Sequence, residues 1–99
     1  MVKFPFTNYE GQKYQLSFRK PLKKHEALGI CNPPEPKKTS RLYVDPSLEG
    51  WQLREITLHE ITHAFFWDVT EEKVDMFAQT VIKALMSKES NINPSWKGK

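Results

Sequence analysis

The chain has 99 residues, enough for one domain with a modest core and too few for a separate regulatory module. Hydrophobic residues make up 38% and aromatics 12%, a composition that excludes a disordered segment. The net charge of +3 sits in clusters (Arg19-Lys20, Lys23-Lys24, Lys37-Lys38-Arg41, Lys97/Lys99) without interleaved aromatics, so solvated loop charges account for it and no motif supports nucleic-acid contact.

From Lys3 to Phe18 the chain is β-prone, with Tyr14, Leu16 and Phe18 alternating against Gln15 and Ser17 as a half-buried strand requires, and Asn8 to Gly11 predicts a turn. Pro21 to Ser40 is expected to be irregular, because the stretch from Cys31 to Lys38 carries Pro33, Pro34 and Pro36 and suits neither sheet nor helix. Arg41 to Asp45 predicts a short strand ended by Pro46, with the Tyr14 to Phe18 strand as its neighbour. A helix from about Gly50 to Trp67 follows, with Ser47 or Glu49 near its start. Its apolar residues surround the axis, which predicts burial on most sides. Thr70 before Glu71-Glu72 is an N-cap pattern with acidic residues at the positive end of a helix dipole. Val74, Phe77, Ala78, Val81, Ile82 and Leu85 then mark the core stripe of a second helix to about Met86. The expected organisation is a single α+β domain over 1–99: strands and a proline-rich loop over 1–46, helices over 47–67 and 70–86, and a polar tail over 87–99 in which Trp96 folds back onto the body.

Within the first helix lies His59-Glu60-Ile61-Thr62-His63. Residues four apart share a helix face, so two imidazoles can grip one zinc ion while Glu60 projects beside it toward a metal-bound water. Only three histidines occur in the chain and two fall here, in an apolar helix where a solvated face would look different. Hydrolytic zinc needs a third protein ligand. Helical phase turns Glu71 inward beside Val74, Ala78 and Val81, leaves Asp75 at the border of that stripe and puts Glu72 on the outer face. Cys31 is another donor: its thiolate could fill the open zinc position, or it could simply be a small packed thiol.

His59-Glu60-x-x-His63 followed by Glu71-x-x-x-Asp75-x-Phe77-Ala78 resembles the gluzincin pattern of thermolysin-like and phage-repressor-cleaving metallopeptidases. Cys31-x-Pro33-Pro34, Leu42-x-Val44-Asp45-Pro46 and His63-Ala64-x-x-Trp67-Asp68 extend the similarity to small phage and bacterial proteins carrying the same His-Glu-x-x-His motif. The resemblance implies a minimal zincin-like fold, Glu71 as third zinc ligand, and Asp75 as hydrogen-bond acceptor for a metal-bound histidine. It also implies that the strand from Arg41 to Asp45, nearest the active helix, is a sheet edge to which an extended peptide adds. Tyr43, His25 and Arg54 are candidates for stabilising the oxyanion that such enzymes form. The expected activity is zinc-dependent peptide-bond hydrolysis with Glu60 as the base, acting on a protein or peptide. The alternative is a non-catalytic phage accessory protein for binding or structure, stabilised by zinc. Glu60 argues for the enzyme, since a purely structural site needs no base. The N-terminus lacks the pattern of a secretory signal, no run is long enough to span a membrane, and a lone cysteine suits a reducing compartment. A cytoplasmic location is therefore expected, that of the host if the protein is phage-encoded.

Overall fold

Alternation builds the sheet. In β2 (Lys13–Phe18) Tyr14 and Leu16 are buried, and in β4 (Ser40–Val44) Leu42 and Val44 are. These residues share one sheet face because side chains along a strand alternate. The computed structural model of the chain describes residues 3–20 and 28–92, with side chains through residue 89. Within it β1 (Lys3–Thr7) pairs antiparallel with β2, β2 parallel with β4, and β4 antiparallel with β3 (Gly29–Cys31). The result is a mixed four-stranded sheet in the order β1-β2-β4-β3, followed by helices α1 (Gly50–Phe65) and α2 (Glu71–Ile92). This is an α+β fold.

The sheet packs one face on α1. Tyr14, Leu16, Leu42, Val44 and Ala64 form the buried core, with Leu53, Ile56 and Ile61 of α1 and Cys31 of β3 packed against it. Burying such residues supplies most of the drive to fold, at roughly 1.5–3 kcal/mol for each large side chain. Phe6 extends this layer, stacked between Tyr14 at 5.6 Å and Phe65 at 5.8 Å between ring centroids. The second helix packs on the first through Val74, Ala78 and Ile82, while Phe77 and Leu85 of the expected core stripe are exposed, because a chain this short has no third layer to cover them. No helix of the described residues is long and apolar enough to cross a membrane.

Several expectations need correction. Residues Pro21 to Ser40 are not all irregular: Gly29–Cys31 forms β3. Three residues are too few to display alternation, and their structure comes from the backbone of β4. That pairing also overturns the expected edge, because β4 lies between β2 and β3, and the edge on the helix side is β3. The first helix stops at Phe65, and Phe66 and Trp67 are 45% and 42% exposed. It is half-buried rather than enclosed, since the sheet covers one side, α2 another, and a chain this short has no third layer. The second helix continues past Met86 to Ile92, because Ser87-Lys88-Glu89-Ser90-Asn91 contains no helix breaker even though it is polar. Expectations for His25, Pro94 and Trp96 lie outside the described residues.

One buried side chain joins the two halves of the fold. Asn8 accepts the backbone N–H groups of Glu10 and Gln12 on Oδ1, both at 2.9 Å, and donates from Nδ2 to Ala64 O at 2.9 Å. It therefore shapes the β1–β2 turn and satisfies a carbonyl at the end of α1, where helices leave such groups unpaired. Asn8→Ala is expected to cost about 1–3 kcal/mol in urea-induced unfolding, because two donors and one acceptor lose their partner. A cost below about 0.5 kcal/mol, the range of an ordinary surface change, would show that the turn and helix end are not coupled through it.

Candidate metal centre

The first helix carries His59 and His63 one turn apart, with ring centroids 4.9 Å apart. Both are largely covered, their side chains 10% and 13% exposed. A tight connection then reverses the chain, with Val69 N donating to Phe66 O at 3.0 Å. The second helix starts at once, capped by Thr70, whose Oγ1 accepts from Lys73 N at 3.3 Å. Its apolar stripe sets the helix phase, and that phase carries Glu71 over the two imidazoles.

The geometry is that of a three-donor site. Glu71 Oε2 lies 3.0 Å from His59 Nε2 and Glu71 Oε1 lies 2.7 Å from His63 Nε2. His59, His63 and Glu71 each offer a donor atom within 4.8 Å of the others, so the group can hold a metal ion. Tetrahedral zinc with ligand bonds of about 2.0–2.1 Å needs donors about 3.3 Å apart, a spacing comparable with the 3.0 and 2.7 Å that separate Glu71 oxygens from the two imidazoles. Two imidazoles and a carboxylate are donors that zinc accepts. The side chain of Glu71 is 73% exposed, so this corner of the site is open to solvent.

The other acidic residues fall into order around this group. Asp75 Oδ1 is 3.6 Å from His59 Nδ1, too long for a hydrogen bond, while Asp75 Oδ2 accepts from Gln79 Nε2 at 2.8 Å. The carboxylate faces the ring nitrogen that a metal on Nε2 would leave free. Glu72 is exposed and outside the donor group.

Glu60 points into a cavity of about 320 Å³ that it shares with β3, His63, Trp67 and Glu71. Burial pushes its carboxyl up to about 7, and the nearby Glu71 carboxylate adds to the rise. A carboxyl so placed can take and give a proton near neutrality. Cys31 lines the same cavity, but burial first and Glu60 second push its thiol up to about 12. It is protonated at neutral pH, packs against the core and is outside the donor group, as a small packed thiol would be. Tyr43 and Arg54 do not line the cavity: Tyr43 lies beside the Arg19 guanidinium, and Arg54 lies over Trp51.

Sequence reasoning missed three residues of this cavity, Gly29, Ile30 and Trp67. Trp67 lines it from just past the end of α1, its ring edge-on to His63 at 6.3 Å. Gly29 lies directly against Glu60. A lone glycine between Leu28 and Ile30 was the available signal, since glycine within a strand marks close approach.

Metal affinity should fall in a fixed order when the acids are replaced: most for Glu71→Ala, less for Asp75→Ala, least for Glu72→Ala. His59→Ala and His63→Ala should each abolish tight binding. Zinc competition against a chromophoric chelator measures all five. Loss of metal in Glu72→Ala with retention in Glu71→Ala would mean that α2 is rotated from the orientation described.

No family model, curated protein or solved structure matches the chain.

Proposed function

We propose that this protein is a minimal zinc-dependent peptidase with a zincin-like core, related in site design to the gluzincins. The observation that carries the proposal is the convergence of His59, His63 and Glu71, with Glu60 beside them in a cavity lined by β3, an edge strand of the sheet among the described residues. His59 Nε2, His63 Nε2 and a Glu71 carboxylate oxygen would hold the ion. Zinc supplies a Lewis acid that polarises the scissile carbonyl and makes water acidic enough to attack at neutral pH.

The chain's own residues account for the remaining steps. Glu60 takes a proton from the attacking water as its oxygen bonds to the carbonyl carbon, then returns that proton to the amine nitrogen as the C–N bond breaks. Asp75 orients the His59 ring through Nδ1 once the few tenths of an ångström between them close. Substrate placement falls to β3. Asp45 N bonds to Leu28 O at 2.9 Å and Asn32 N to Arg41 O at 3.0 Å. Hydrogen bonding alternates along an antiparallel pair, so the N–H and C=O groups of Gly29 and Cys31 point away from β4. Among the described residues no strand pairs with that edge. An extended peptide can add there and lie along the cavity that holds Glu60. The role assigned to the strand from Arg41 to Asp45 thus moves one strand outward.

Glu60→Gln tests the reading, because it removes the base while keeping size and polarity. The variant should keep its zinc, lose about a hundredfold or more of peptide hydrolysis, and still bind substrate. Substrate peptides added to it should then shift the amide resonances of Gly29 and Cys31. Unchanged hydrolysis would remove Glu60 from the mechanism. A wild-type chain that binds zinc and cleaves no peptide would favour a zinc-stabilised binding or structural protein.

A further inference from the structure

We propose that Gly29 is a positioning residue for Glu60, and that the missing side chain at this point of the edge strand holds the carboxylate in its working rotamer. The consequence for turnover rests on the peptidase reading above; the consequence for Glu60 placement rests on geometry alone.

A Cβ at position 29 would meet Ile56 Cγ2 at 2.8 Å, Glu60 Cγ at 2.9 Å and Glu60 Oε2 at 3.0 Å. Contacts under 3.0 Å are essentially never made by real Cβ atoms. The demand is for space rather than for backbone freedom. At Gly11 and Gly50 the opposite holds: φ is +87° and +61°, and nothing lies within 4 Å of where a Cβ would stand.

Three parts could yield to a methyl group at position 29, and they resist unequally. Strand β3 is pinned on both sides of Gly29 by the hydrogen bonds of Leu28 with Asp45 and of Asn32 with Arg41. Ile56 is β-branched on a helix, where χ1 is nearly confined to one rotamer. Glu60 is unbranched, can change χ1, and has no hydrogen bond to the described residues that would hold its carboxylate. The methyl group therefore turns Glu60. In the wild-type chain, close packing on Gly29 keeps the carboxylate under the backbone groups to which a substrate would pair. One glycine thus sets both the substrate-binding edge and the position of the base beneath it.

The test compares Gly29→Ala with the wild-type chain. Glu60 χ1 is measured by three-bond couplings in the metal-free protein, zinc affinity by chelator competition, and kcat and KM on a peptide library. Glu60 should change rotamer, zinc affinity should stay the same, and kcat should fall by about tenfold to a hundredfold, by a larger factor than KM changes, as expected for a displaced base. If Gly29→Ala does not fold, Gly29→Ala/Ile56→Ala against Ile56→Ala decides the same point, because removing Ile56 Cγ2 relieves the nearest contact and keeps the two with Glu60. An unchanged Glu60 rotamer in either comparison overturns the proposal, as does an unchanged kcat or a loss of zinc affinity in parallel with kcat. A wild-type chain that cleaves no library peptide counts against the peptidase reading, and the Glu60 rotamer then decides the role of Gly29 by itself.

Discussion

Apolar packing on the two sides of α1 is the constraint that brings one carboxylate to two imidazoles in this small protein. Glu71 reaches His59 at 3.0 Å and His63 at 2.7 Å across the junction of two helices. That contact cannot be what holds the helices together, because its carboxylate is largely exposed and exposed ion pairs contribute about 0–1 kcal/mol. The apolar seam of Val74, Ala78 and Ile82 against α1 is worth several times more. Packing therefore sets the phase of α2, and the phase delivers Glu71. Thr70 and the tight turn before it ensure that the second helix begins in time.

The same division of labour recurs on the other side of α1. There the sheet is anchored by Leu16, Leu42 and Val44, which fixes how near β3 comes to the helix. Gly29 converts that nearness into a constraint on Glu60. The three candidate donor groups and the proposed base are thus placed by two independent apolar interfaces meeting on one helix. A site assembled this way tolerates an open, solvent-facing corner at Glu71, since its geometry does not depend on the strength of the polar contacts.

What could be seen in the sequence follows the range of the interactions involved. The spacing of His59 and His63 and the cap at Thr70 are consequences of helix geometry within a few residues, whereas Glu71, expected to turn inward, faces the imidazoles with a side chain that is 73% exposed. The pairing of the Tyr14 and Leu42 strands followed from alternation and bulk. Strand β3 was hidden because its structure is imposed by a partner 11 to 15 residues further on, with no local pattern of its own. The wrong choice of edge follows from that omission, since whether a strand is an edge depends on its neighbours and not on its residues. Ser87 to Ile92 looked like tail because polar residues carry no stripe, yet a helix already nucleated extends through them at little cost.

The central claim is that one zinc ion binds to two histidines and a glutamate brought together by these interfaces. X-ray absorption at the zinc edge of the stoichiometrically loaded protein addresses it most directly. The account predicts nitrogen and oxygen neighbours at about 2.0–2.1 Å, with the outer-shell scattering of two imidazole rings and no sulfur. A sulfur neighbour at about 2.3 Å, which only Cys31 or a methionine could supply, or a shell without imidazole, would contradict it.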